Sequence, residues 1–223
     1  MNKLIFGLLA FLSLPAVATG KIANDAELGT LMMSFFRTND VEQVSEMIRY
    51  LGDSEMIRQE SSIPIVVMSL SCLTERHPAK KAEWLQIANG LDEKIKTRVV
   101  NAITNDPATI LQQVQLSPSK NDMNWGCFFA GGGDAYVINI LDMLSYLDER
   151  KDLNLYMTAI SALWSVASNA RTYPEVALIV KAWSGKQGDR GQRLYHDIMH
   201  KPIGQFKEET VAVLKAQKAA GIW

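Results

Sequence analysis

The sequence predicts an all-α protein of stacked antiparallel helix pairs, and three observations carry that expectation. Apolar residues recur every three to four positions through nearly the whole chain. No segment alternates strictly with period two over a useful length, so strands are not expected. Short polar breaks, several of them holding proline, separate the apolar stripes.

The elements follow in order. Asn39 and Asp40 are cap residues for a helix whose one face is Val41, Val44, Met47, Ile48 and Leu51. Ser62 precedes Ile63-Pro64, which puts proline in a first helical turn, where its missing N–H costs little. Ile63 to Val67 is β-branched, but the apolar run continues to Cys72, too long for a typical strand. This helix runs through Leu73 and stops before Pro78. Ile95, Val99, Ala102 and Ile103 make the next stripe, and Pro107 opens a short helix after it. Asp134 is the expected N-cap of a helix with Val137, Ile140, Leu141, Leu144 and Leu147 on its inner face. Leu153 through Ala167 is apolar almost all round and is expected at the centre of the core. Pro174 opens another helix after Tyr173. The last runs from about Gln205 to Lys218, with Lys215 and Lys218 near its negative C-terminal end.

Short helices with short breaks invite a test for repeats. Trp84, Trp125 and Trp164 are spaced by 41 and 39 residues. Each precedes a turn, and each turn is followed by a helix starting near Asp92, Asp134 or Pro174. Paired helices of about this period stack into TPR- or HEAT-like α-solenoids, because one pair cannot bury its own apolar face. The full consensus of a defined repeat class is missing, so an irregular helical bundle is the alternative. Besides the core, the tryptophans and Phe128-Phe129 could line a peptide groove.

The N-terminus reads as an export signal. Lys3 gives a positive start, and Leu4 to Leu14 is apolar except for Gly7 and Ser13. Pro15 and the small-x-small pattern Ala16-Val17-Ala18 then suit a signal peptidase. Those 11 residues are too short for a membrane span of roughly 20. The expected organisation is a signal peptide at 1–18 and a single all-helical domain at 19–223, periplasmic or secreted, without stable membrane insertion after cleavage.

The net charge of −1 points to neither nucleic acid nor an anionic membrane. Its distribution is uneven. Asp25 to Glu60 holds eight acidic and three basic residues, whereas Lys181 to Lys218 holds eight basic and four acidic. Cys72 and Cys127 are the only cysteines, and in an oxidising compartment they are a candidate disulfide. Buried unpaired thiols in neighbouring helices are the other reading.

Trp125 to Ala130, followed by Gly133-Asp134, Tyr136-Val137 and Ala162 to Ser165, resembles segments of uncharacterised exported bacterial helical proteins of repeat-like build. The resemblance implies an exported helical protein. It brings no activity and no site.

The candidates for chemistry are few. His196 and His200 lie at i and i+4, a usable metal-ligand pair on one helix face. The zinc-protease pattern needs Glu directly after the first His to deprotonate a metal-bound water, and here Asp197 stands there, one methylene shorter. A third ligand would have to come from elsewhere, with Glu208 and Glu209 the nearest downstream carboxylates. Gly131-Gly132-Gly133 before Asp134 suits a C-cap and N-cap between two helices better than an anion cradle. Gly185 to Gly191 reads as a flexible surface loop, because its lysine is misplaced for a phosphate loop. Cys127 with His77 is the one cysteine–histidine combination, without supporting spacing. Asp148-Glu149 and Glu208-Glu209 read as solvated faces. No catalytic residue, metal or cofactor is expected. The expected function is an exported protein-binding or scaffold module whose partner is another envelope protein. An inhibitor or immunity-type protein and a metal-dependent hydrolase at His196 and His200 are the alternatives.

Overall fold

The computed structural model describes residues 21–223, so the export signal expected at 1–18 lies outside the described residues. Twelve α-helices and no strands are found among the described residues. In order they are α1 (Asp25–Thr38), α2 (Val41–Tyr50), α3 (Ile63–Arg76), α4 (Lys81–Ala88), α5 (Glu93–Thr104), α6 (Pro107–Gln113), α7 (Pro118–Cys127), α8 (Asp134–Asp142), α9 (Leu153–Thr172), α10 (Pro174–Ser184), α11 (Gly188–His200) and α12 (Ile203–Ala219). Proline occupies the first turn of α3, α6, α7 and α10, and the side chains of Asn24, Asp92, Asp106, Ser117 and Asp152 accept backbone N–H bonds at the starts of α1, α5, α6, α7 and α9. No helix among the described residues is long and apolar enough to cross a membrane.

The amphipathic stripes meet in two cores. The first gathers the inner faces of α1, α2, α3, α4 and α5 around the fully buried Trp84 and Met68. The second gathers α8, α9 and α10, one side of α11, and the rings of Trp125, Phe128 and Phe129. The two cores meet along α3 and α7. Gly126 permits close backbone approach there, since a Cβ on it would fall 2.6 Å from the Ile65 carbonyl oxygen. The Ser69 hydroxyl contacts both carbonyls at this crossing, 2.8 Å from Ile65 and 3.2 Å from Gly126. Beside it, Cys72 and Cys127 are joined in a disulfide with Cα atoms 5.3 Å apart.

After α7 the chain makes one wide helical turn, Phe128–Gly132, and Gly131 takes φ 80°, which favours glycine. Gly133 fills the N-cap of α8 with φ 90°, a backbone open mainly to glycine, and Asp134 is the first helical residue, not the cap. The stripe expected to run through Leu147 breaks at Asp142, where the chain tightens into a 3-10 segment, Met143–Asp148.

Packing departs from a regular stack. The pairs α7/α8 and α9/α10 lie against each other, but α5 packs on α3, α3 packs on α7, and α1 packs on the 128–132 turn. In a stack each pair would meet only its neighbours in sequence. The three tryptophans are also inequivalent: Trp84 belongs to the first core, Trp125 to the second, and Trp164 is half-buried.

Candidate functional site

Between α6, α7 and α8 lies a cleft of about 300 Å³. Its position follows from local chemistry. Asp106 caps α6 by accepting from the Thr109 N–H at 2.7 Å, and Pro118 with Ser117 restarts the chain four residues after α6 ends. Lys120 Nζ closes this short connection on the Val114 carbonyl at 2.8 Å. Asn154 Nδ2, from α9, donates to the Leu116 carbonyl at 2.7 Å. Leu116 is thereby fixed as one wall, with Leu111 and Met143 as its apolar companions.

The other wall carries amides. Asn121 and Asn124 stand one turn apart on α7 and are both buried. Asn121 Nδ2 donates to the Thr158 carbonyl at 2.9 Å, and its Oδ1 accepts no hydrogen bond from the described residues. Asn124 Nδ2 donates to the Lys120 carbonyl at 2.8 Å, while its Oδ1 accepts from Asn139 Nδ2 of α8 at 3.1 Å. Asp142 closes the end of the cleft, with Oδ1 accepting from Trp183 Nε1 at 2.9 Å. Lys120 and Asp142 balance in charge. The cleft therefore offers neutral acceptors and donors beside an apolar strip, a pattern that suits a ligand with its own alternating N–H and C=O groups. Behind it on α7, Asp122 is pushed up to about 6 by burial.

None of these amides stood out in the sequence. Asparagine is a poor helix former that favours caps and turns. Two of them in the middle of a ten-residue helix were the available signal.

The residues singled out from the sequence fall elsewhere. His196 and His200 do share a face of α11, with ring centroids 5.1 Å apart, and His196 is exposed. Asp197 is paired with Lys201 at 2.9 Å, and Glu209 is held by Lys201 and Gln205 at 3.1 and 2.9 Å. Glu208 lies on the open face of α12. Among the described residues no three His, Cys, Asp or Glu side chains are grouped to hold a metal ion. Cys127 is disulfide-bonded, and His77 packs edge-on to Phe35 and Trp84, so the two do not form a catalytic pair. Asp148 pairs with Arg190 at 3.0 Å, and Glu149 accepts from the Lys151 N–H at 3.2 Å. The segment expected as a flexible loop is a tight corner. Gly185 ends α10, α11 begins at Gly188, and Gly191 sits against the Ser184 carbonyl, where a side chain would clash. The tryptophans and Phe128-Phe129 pack in the cores and do not line the cleft.

No family model, curated protein or solved structure matches this chain. Its function is therefore argued from its own residues.

Proposed function

We propose that this protein is an exported binding module of the cell envelope that takes an extended peptide segment of another protein in the cleft between α6, α7 and α8. The observation that carries the reading is the pairing of an amide wall, Asn121, Asn124 and Asn139, with the apolar strip Leu111, Leu116 and Met143. Side-chain amides match the alternating donors and acceptors of a peptide backbone, and alternate side chains of an extended peptide would face the strip. The Cys72–Cys127 disulfide supports an oxidising compartment, as the N-terminal export pattern does. Among the described residues, a hydrolase centred on His196 and His200 finds no grouped third ligand, and the carboxylate beside the first histidine is paired with Lys201.

Selection of displayed peptides on the purified protein tests the reading. Binders recovered on the parent should lose about tenfold in affinity on Asn139→Ala and on Met143→Glu, since each removes a contact worth about 1.4 kcal/mol. Asn139 also supplies the donor to the buried Asn124 Oδ1 and Met143 packs against the second core, so each variant should lose a few degrees in melting temperature, and affinities are compared well below both transitions. A selection that yields no binder, or binders indifferent to both variants, would overturn the proposal.

A further inference from the structure

The cleft between α6, α7 and α8 holds one acceptor that the described residues leave unused. Asn121 is only 1% exposed, and its Nδ2 is spent on the Thr158 carbonyl at 2.9 Å, which settles which end of the amide is the oxygen. That Oδ1 accepts no hydrogen bond among the described residues. It is not one of the unpartnered acceptors sealed from solvent, as Gln43 Oε1 is. The Oδ1 therefore carries part of the small surface that Asn121 keeps, and Asn121 lines the cleft. A nearly buried acceptor without a donor is costly, and a donor entering the cleft relieves that cost.

The donor has to arrive on a side chain. Asn121 is the most buried of the three amides, since Asn124 is 4% exposed and Asn139 stands at the surface. At about 300 Å³ the cleft is at the small end of ligand pockets, with room for a side chain and a short length of backbone. Its ionisable lining residues, Lys120 and Asp142, offset each other, so net charge favours neither a cation nor an anion. The wall also has hydrogens to give. The Nδ2 groups of Asn124 and Asn139 hold two each and spend one each, on the Lys120 carbonyl and on Asn124 Oδ1.

The matching group is a neutral donor with an acceptor beside it, which is a primary carboxamide. With a hydrogen bond at each end it spans about 8 Å, enough for side chains one helical turn apart at about 5–6 Å. Two methylenes let it reach down from a peptide backbone and lie against Leu116 and Met143. We propose that the cleft selects a glutamine of the bound peptide, whose carboxamide donates to Asn121 Oδ1 and accepts from a spare N–H of Asn124 or Asn139. This rests on the reading of the cleft as a peptide site and adds the residue it selects.

Capped Ala-Ala-Gln-Ala-Ala, and the same peptide with Glu, Met or Lys at its centre, test this at pH 7. Each is titrated into the labelled full chain while the side-chain amide resonances of Asn121, Asn124 and Asn139 are followed by NMR. The central residue is varied in the peptide because Asn121 also supports α9 through Thr158. The glutamine peptide should move all three amides and bind at least tenfold more tightly than the glutamate or methionine peptide, since both leave the Asn121 oxygen without a donor. The lysine peptide, with a donor and no acceptor, should fall between. Equal affinities for the four, or a preference for glutamate, methionine or lysine, would overturn the selection of glutamine and leave the peptide cleft standing. Equal affinity for N-acetylglutaminamide would overturn the peptide part and leave a site for a free carboxamide. No shift with any of the probes would overturn both.

Discussion

The core formed by α1 to α5 and the core formed by α8 to α11 are held to each other by two different kinds of clamp. On the first side the clamp is covalent and close, with Gly126 letting α3 and α7 touch and Cys72–Cys127 locking the contact. On the second side it is aromatic and ionic. Arg37 at the end of α1 forms two bonds to Glu175 of α10, at 2.9 and 2.6 Å, and its guanidinium lies 5.1 Å from the rings of both Phe36 and Tyr173. Phe36 in turn meets Phe128 and Phe129 of the wide turn. Buried backbone contact demands one geometry, whereas stacked rings and a half-exposed ion pair tolerate adjustment. The difference predicts a junction that is rigid at α3–α7 and softer at α1–α10.

The largest expected effect comes from cutting the covalent clamp. The disulfide closes a loop spanning 55 residues, and losing that constraint should cost about 4 kcal/mol through the greater chain entropy of the unfolded state. Chemical denaturation of the Cys72→Ser, Cys127→Ser double variant measures it. A loss below about 1 kcal/mol would mean that the α3–α7 contact holds without the bond.

The softer clamp should give less. Arg37→Ala removes one ion pair and two cation–π contacts, together about 1–2 kcal/mol after screening by water. The hydrogen bonds from Arg37 hold the Glu175 carboxyl below its usual value, so its contribution stands above about pH 4.5 and fades as pH falls through the lowered value. A double-mutant cycle of Arg37→Ala with Glu175→Gln, run at pH 7 and pH 3, checks both points. Coupling that is equal at the two pH values would remove the ion pair from the clamp.

The two sides also differed in how readable they were. The stripes at Val44–Ile48 and Ile95–Ile103 are the buried faces of α2 and α5, because an amphipathic helix on one core needs only local periodicity. The second side depends on longer-range geometry. That Asp142 would receive the Trp183 indole, where the expected helix gives way to a 3-10 segment, is a contact over 41 residues. The wide turn at Phe128–Gly132 and the seating of α1 on it are equally non-local. The amide cleft was hidden for the same reason. Its residues come from three helices, and only folding reveals that Asn121 is buried and tied to the Thr158 carbonyl. The paired histidines were fully legible as a motif, since i and i+4 suffices to put them on one face, but the motif carried no information about a third ligand.

The smallest predicted effect sits between the clamps, at Asp122 on α7. Burial raises its carboxyl to about 6, with no opposing charge to bring it back. A raised carboxyl favours the folded state only while it is protonated. Its effect is therefore full below about pH 3.8 and is lost as pH rises to about 6. Asp122→Asn keeps the shape and removes the charge. It should stabilise the protein by about 1 kcal/mol at pH 7, a value reduced from the full shift because the group still meets water, and by nothing at pH 4. Melting curves at the two pH values decide the matter. A stabilisation of the same size at both would place the gain in packing and not in the charge, and α7 would then be as well solvated at this position as the softer side of the molecule.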